Sequence, residues 1–420
     1  MAKRLTLYIL LAMVAGIVVG IALNATIADP VTLKNVTGYI SILTDLFLRL
    51  IKMIIAPLVF ATLVSGIAHM GDTAALGRVG ARAIGWFLAA SLLSLTLGLI
   101  MVNLLQPGVG AHLVLPPDGA GPELAKADFT LKNFIVHLVP KSFFEAMADN
   151  EILQVVIFSV FTGVAATAVG ERAAPLIRGV EALAQVMLQI TDYVMRFAPF
   201  AVFAAVTTAL AEQGPTILIS FGKFMGSFYL AMLVLWAILL TLCFLMVGGR
   251  SKLLIRYIRE PILLAFSTAS SEAAFPRTLE ALDRFGVPPK IASFVLPLGY
   301  SFNLDGSMIY CTFATMFIAQ AYGIDLSIGQ QFTMLLILMV TSKGIAGVPR
   351  ASLVVISATL AFFDIPEAGL LLILAVDHFL DMGRSATNVV GNAVASVVVA
   401  KWEGGLDVIE AAEIEPPKAP

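Results

Sequence analysis

Along the first 250 residues, long apolar runs alternate with short polar connections. The opening segment, MAKRLTLYILLAMVAGIVVGIALNATI, has a basic start and then an apolar run of about 20 residues, longer than a usual signal-peptide core and enough for one helical crossing of about 30 Å. Further runs follow at 38–68, 80–105, 150–170, 177–211 and 217–248. Each is predicted to be a membrane-crossing helix, because a helix satisfies its own backbone groups in hydrocarbon. At least six spans therefore precede residue 250.

Beyond residue 250 the pattern changes. Apolar stretches of about 8 to 15 residues, too short to span, flank clusters of small polar residues. EPILLAFSTASSEAAFPRTLEAL carries the cluster Ser267 to Glu272 between two apolar arms, with Pro276 just beyond. LLILMVTSKGIAGVPRASLVVISATL repeats the arrangement around Ser342 to Pro349. Each hairpin precedes a longer apolar helix, the first containing GYSFNLDGSMIY and the second AVDHFLDMGRSATNVVGNAVA. Paired short segments interrupted by Gly or Pro in corresponding halves of a chain point to a transporter's mid-membrane binding site. Non-helical backbone at that depth has to line a cavity, since its free N–H and C=O groups cannot face lipid.

Composition agrees with this reading. Apolar residues make up 59% and charged residues 13% of the 420, with a mean hydropathy of +0.94, against about a quarter charged in soluble domains. A net charge of -2 offers no basic surface for nucleic acid. The placement of the charges says more than their balance. Lys3, Arg4, Arg78, Arg82, Arg250, Lys252, Arg256 and Arg259 all fall on one side of the predicted spans, the cytoplasmic one by the positive-inside rule. The Pro/Gly-rich loop QPGVGAHLVLPPDGAGPELAKAD holds a single basic residue and reads as external, and the acidic tail beyond Lys401 as cytoplasmic and disordered. Cys243 and Cys311 sit in apolar runs and read as buried small side chains. No cofactor is expected. Arg49, Lys52 and Arg196 read as structural or snorkelling charges, and Lys343 and Arg350 as gate or snorkelling charges.

The final helix carries the sharpest signal. At 100° per residue, Asp377, Asp381, Arg384, Ser385, Asn388 and Asn392 fall within an arc of about 100°. Ionisable residues at a bilayer centre cost at least about 2.5 kcal/mol each, so they imply a ligand or one another. An arginine fork matches a carboxylate and an aspartate three residues away matches an ammonium, which together fit an acidic amino acid. An ion pair joining two helices is the other reading of the same residues. The hairpin tips supply N–H donors for an α-carboxylate through Ser271 and the stretch Gly344 to Val348. Asn303 and Asp305, with the backbone carbonyls around Gly306, form an oxygen-rich cation site, although Asp305 is equally readable as protonated or as a partner of Arg384. Glu272, at the first tip, is a carboxylate placed to carry a proton, or simply a solvated tip residue.

Five motifs together, RLIKMIIAPLVF, SSEAAFPR, GYSFNLDG, SKGIAGVP and DMGRSATNVVGN, resemble the dicarboxylate/amino acid:cation symporter family along essentially the whole chain, and among its members the bacterial proton/glutamate symporters in particular. The resemblance implies an all-α membrane protein with eight transmembrane helices, two oppositely oriented re-entrant hairpins forming inverted repeats, an elevator motion and a homotrimer in the bacterial inner membrane. It divides the chain into scaffold helices at 1–75 and 131–215, transport-domain helices at 76–130 (with the external loop) and 216–250, a transport core at 251–403, and a tail at 404–420. It further implies that Asp381 binds the substrate amino group and Arg384 its side-chain carboxylate. Ser270, Ser271, Ser307, Gly347, Val348, Ser385 and Asn388 fall at substrate contacts, and Asn303, Asp305, Asp377 and Asn392 at cation-coupling positions, with Asn303 and Asp305 a candidate sodium site.

Departures from the family pattern favour protons over sodium. Sodium-coupled members carry an Asp where this chain has Asn392 and a Thr-Ser pair where it has Ala90-Ser91, so two oxygen ligands are weakened or lost. The serine triplet of other members reads Ser270-Ser271-Glu272 here, as in the proton-coupled branch, and a protonatable Glu of neuronal members aligns with Cys311. Retention of Asp381 favours an amino acid over a C4-dicarboxylate, and retention of Arg384 an acidic one over a neutral one. An intramembrane aspartyl protease, the strongest enzyme alternative, lacks a Gly-x-Gly-Asp motif here and has no use for Arg384. A passive channel explains neither the paired Asp and Arg nor the hairpins.

Overall fold

The protein is described by a computed structural model over residues 2–68, 73–109, 136, 139–342, 351–374 and 376–406. Among these residues all the regular secondary structure is helical. The first group of helices is α1 (Ala2–Thr26), α2 (Pro30–Ala68), α3 (Thr73–Leu105), the short α4 (Phe143–Ala148), α5 (Ile152–Val169), α6 (Ala174–Met195), α7 (Ala198–Ser220) and α8 (Gly222–Val247). There follow α9 (Ser251–Thr268), α10 (Phe275–Phe285), α11 (Pro289–Phe302), α12 (Asp305–Ala321), α13 (Ile328–Thr341), α14 (Ala351–Phe362), the single-turn α15 (Leu370–Leu374) and α16 (Asp377–Trp402).

Four stretches, Leu7–Thr26, Gly77–Leu105, Ile152–Met195 and Gly222–Thr268, are long and apolar enough to cross a membrane, and Met53–Ala68, Ala198–Glu212 and Ile328–Thr341 are shorter apolar helices. This makes an all-α, multi-pass membrane protein. Side chains on its outer surface fit that solvent: Val18 is 63%, Phe161 70% and Leu245 73% exposed, acceptable against lipid and unfavourable in water. Two expected spans differ in detail. The run 177–211 is divided between α6 and α7, because the ring of Pro199 excludes a regular helix through the preceding turn while suiting the first turn of a new one. The run 38–68 belongs to a longer helix whose first part carries Asp45, Arg49 and Lys52, leaving Met53–Ala68 as its apolar portion.

Two packing neighbourhoods organise the helices. α1 lies on α7, and α2 packs on α5, α6 and α7. α3 lies along α12, while α16 is surrounded by α8, α9, α11 and α12. Consequently every residue of α16 from Met382 to Ala400 is buried. The polar stripe expected on this helix is therefore enclosed by protein from Arg384 onward, while Asp377 and Asp381 before it stay partly exposed.

The predicted interruptions are present where they are described. α9 ends at Thr268, and Ala269 adopts a left-handed conformation with φ 50°. The Ser270 N–H then bonds back to the Ala265 carbonyl, a Schellman-type closure that usually employs glycine. A 3-10 turn at Glu272–Ala274 leads into α10, whose early Pro276 suits a helix start. The helix containing GYSFNLDG unwinds at Asn303 and Leu304 before α12 begins at Asp305. The tip of the second hairpin, with Lys343, Gly344, Gly347, Val348 and Arg350, lies outside the described residues, as do most of the loop after α3 and the tail beyond 406.

Candidate substrate and cation site

The site is built where α16 crosses the break between α11 and α12. The first N–H groups of a helix have no intrahelical acceptor, and at the start of α12 one of them is taken from outside: Gly306 N–H donates to Asn388 Oδ1 at 2.8 Å. A Cβ at Gly306 would collide with the backbone of Arg384, and one at Gly391 with the Asp305 carboxylate. Glycine at these two positions lets the helices approach closely enough to bring their polar groups together.

One half of the site centres on Arg384, which is 4% exposed. Its guanidinium lies 3.1 Å from Asp377 and 2.9 Å from Asp381. It also stacks over the Tyr310 ring at 4.1 Å, an arrangement that favours a desolvated cation. Tyr310 OH in turn donates to Asp377 at 3.0 Å, so Asp377 and Tyr310 hold the guanidinium from two sides. Arg384 Nε–H is buried with no acceptor among the described residues, whereas the Asp381 side chain remains 42% exposed. The arrangement thus offers an accessible carboxylate beside a buried cation with unused donor capacity.

The other half centres on Asp305, wholly buried at the first position of α12, where the helix dipole favours a negative charge. Ser94 donates to its Oδ1 at 3.1 Å and Asn303 Nδ2 to its Oδ2 at 3.2 Å. The same amide lies 3.2 Å from Asn392 Oδ1. Among the described residues, Asn303 Oδ1 and Asn392 Nδ2 are buried without partners. As a cation cage the set holds one carboxylate, and the oxygens of Asp305 and Asn392 each already accept one hydrogen bond. Asn303 Oδ1 adds a buried acceptor with no partner among the described residues.

The remaining sequence candidates are spread around this crossing. Ser385 is buried on α16 and Ser307 is partly buried in the first turn of α12. At the first hairpin, Ser270 Oγ accepts from Ala273 N–H at 3.2 Å, and the Ser271 carbonyl accepts from Tyr300 OH at 3.0 Å. Glu272 is exposed and lines a cavity of about 40 Å³ with Asn150, Glu151, Tyr300 and Ser301, large enough for a water molecule or two. The carboxylate therefore has access to solvent rather than a dry pocket. Tyr310 and Ser94 were missed by sequence reasoning. Tyr310 stands four residues after Gly306 and so on the same helical face, a spacing that points to it once Gly306 is known to meet α16; Ser94 has no such signal.

A multi-pass helical membrane protein with a buried, ion-paired polar crossing at a broken helix belongs to the class of secondary transporters. Residues 5–402 match the sodium:dicarboxylate symporter family, and the chain belongs to that family. It is 38% identical over 410 residues to the proton/sodium-glutamate symport protein of Bacillus caldotenax, covering 93% of each chain. It is 40% identical over 407 residues to the proton/glutamate-aspartate symporter of Escherichia coli K12, covering 95% of this chain and 93% of the relative. A C4-dicarboxylate transport protein of Laribacter hongkongensis is 39% identical over 399 residues, covering 94% and 89%. The protein is a transporter and not an enzyme.

Proposed function

We propose that the protein imports an acidic amino acid, L-glutamate or L-aspartate, across the bacterial inner membrane by symport with protons. The carrying observation is the Arg384 cluster: a buried guanidinium for the side-chain carboxylate, one helical turn from an Asp381 that stays 42% exposed for the ammonium. The names of the Bacillus caldotenax and Escherichia coli relatives point the same way. Charge balance supplies the reason for coupling. Asp305, Asp377 and Asp381 set three carboxylates against one guanidinium, and an acidic amino acid adds a further net negative charge. Burying that excess is costly, so positive charge has to enter with the substrate. The single carboxylate at this position, each of whose oxygens already accepts a hydrogen bond, supports protons over sodium, with Glu272 as a solvent-accessible carrier and Asn303, Asp305, Asp377 and Asn392 as the coupling set.

In this reading Ser270, Ser271, Ser307, Gly347, Val348, Ser385 and Asn388 complete the substrate site. Residues 1–75 and 131–215 form the scaffold of a homotrimer, against which the hairpin-bearing core at 251–403, with 76–130 and 216–250, moves as an elevator. The packing of α1, α2, α5, α6 and α7 on one side and of α3 and α8 with the later helices on the other supports this division. A C4-dicarboxylate substrate is the second reading, favoured by the Laribacter hongkongensis relative, but it leaves Asp381 with no ammonium to meet.

The test is uptake into proteoliposomes across a grid of pH and sodium, with glutamate, aspartate and succinate in competition. Accumulation of labelled glutamate or aspartate under an inward proton gradient without sodium is expected, and Glu272→Gln should flatten the pH profile. Strict sodium dependence overturns the coupling assignment, and preference for succinate overturns the substrate.

A further inference from the structure

Away from the substrate site, a cleft of about 600 Å³ separates α2 and α6 from α10 and α11, with Ser65, Gln185 and Leu188 on one wall and Leu279, Asp283 and Lys290 on the other. At one place the walls touch: a Cβ on Gly66 of α2 would press on Ser293 Oγ and Lys290 of α11. Beyond the cleft, α6 and α10 are joined by charge, with Arg277 2.7 Å from Asp192.

Both charges occupy the wrong ends of their helices. Asp192 lies in the last turn of α6 and Arg277 in the first turn of α10, where the backbone dipoles disfavour an anion and a cation respectively. Each therefore gains from the other. Their dependence is unequal, however. Arg277 is also held within its own hairpin by Glu280 at 2.8 Å and by Glu260 of α9 at 3.9 Å, and its side chain is only 15% exposed. The Asp192 side chain is 49% exposed and can be hydrated as soon as it lets go. Separation therefore leaves no bare buried charge on either side, which makes this contact cheap to break and to remake, unlike a buried ion pair.

We propose that Arg277–Asp192 is a releasable latch beside the cleft, holding α10 against α6 in this conformation and setting how readily the two helix groups separate during transport. It rests on the proposed relative motion of those groups, but it can be read without substrate. Leu279→Cys places a thiol on the cleft wall at a position 9% exposed, over a background in which Cys243 and Cys311 are buried. Modification by N-ethylmaleimide in substrate-free membranes then reports opening. Adding Asp192→Asn should speed labelling by about two- to fivefold, the factor an exposed ion pair is worth; Asp192→Lys should speed it further, and Asp192→Glu should restore the parental rate. Affinity for labelled L-aspartate should not change in this series, while its exchange rate should. Should a variant fail to fold, about 1 M salt, where the screening length is near 3 Å, should accelerate labelling of the Leu279→Cys protein itself. Equal labelling across the series and at both salt concentrations overturns the latch. Absence of aspartate binding in every variant, the parent included, with graded labelling intact, would instead overturn the substrate reading alone.

Discussion

Arg384 is surrounded before any ligand arrives: Asp377 and Asp381 lie at 3.1 and 2.9 Å and the Tyr310 ring at 4.1 Å. These neighbours do different things. Asp377 shares its Oδ1 between Arg384 and the Tyr310 hydroxyl, so it fixes the guanidinium, whereas Asp381 is the more exposed and can exchange its partner for an ammonium. Replacing Arg384 with Ala should lower acidic-substrate uptake by at least about thirtyfold, since truncating one member of a buried charge pair costs roughly 2–5 kcal/mol. Arg384→Lys should fail nearly as badly, because a point charge neither forms the fork nor stacks on Tyr310 in the same way. Transport assays on protein that remains monodisperse after purification check both, and retained uptake in either removes Arg384 from the recognition of carboxylate.

Broken helices place these side chains. At the start of α12, the free Gly306 N–H is met by Asn388 and the buried Asp305 is met by Ser94 and Asn303, so three elements, α3, the α11–α12 break and α16, are tied together at one point. The close approach of α12 to α16 depends on the missing Cβ of Gly306, whose would-be neighbours are the Arg384 backbone oxygen, Cα and carbonyl carbon. Backbone cannot move aside as a flexible side chain can. Gly306→Ala should therefore destabilise the protein by about 1–3 kcal/mol or more and abolish uptake, observable as a lowered melting temperature in detergent. A melting curve and uptake equal to the parent would show that the crossing has room to spare.

Across the whole molecule, the contrast between α16, buried along most of its length, and helices such as α1 and α5, which present Val18 and Phe161 outward, separates an enclosed core from a lipid-facing periphery. The proposed homotrimer should appear in native mass spectrometry as an assembly of three times the 44.6 kDa chain mass; a monomer retaining full transport would remove oligomerisation from the proposal.

The sequence by itself determined the membrane class, the helical content, the positions of the breaks at Ser267 to Glu272 and at Asn303, and the polar stripe of α16. All follow from local rules: hydrocarbon demands long apolar helices, small polar clusters interrupt them, and a 100° step puts Asp377, Asp381 and Arg384 on one face. Tertiary structure alone decided which face that stripe meets, and hence that Tyr310 stacks on Arg384, that Ser94 reaches Asp305 from 211 residues away, and that Glu272 opens to solvent. It also drew Asp192 to Arg277, whereas the division of the run 177–211 at Pro199 is a local effect of the proline ring. Contacts between distant segments depend on how helices cross, and hydrophobic periodicity specifies a helix's apolar face without naming the neighbour that will cover it.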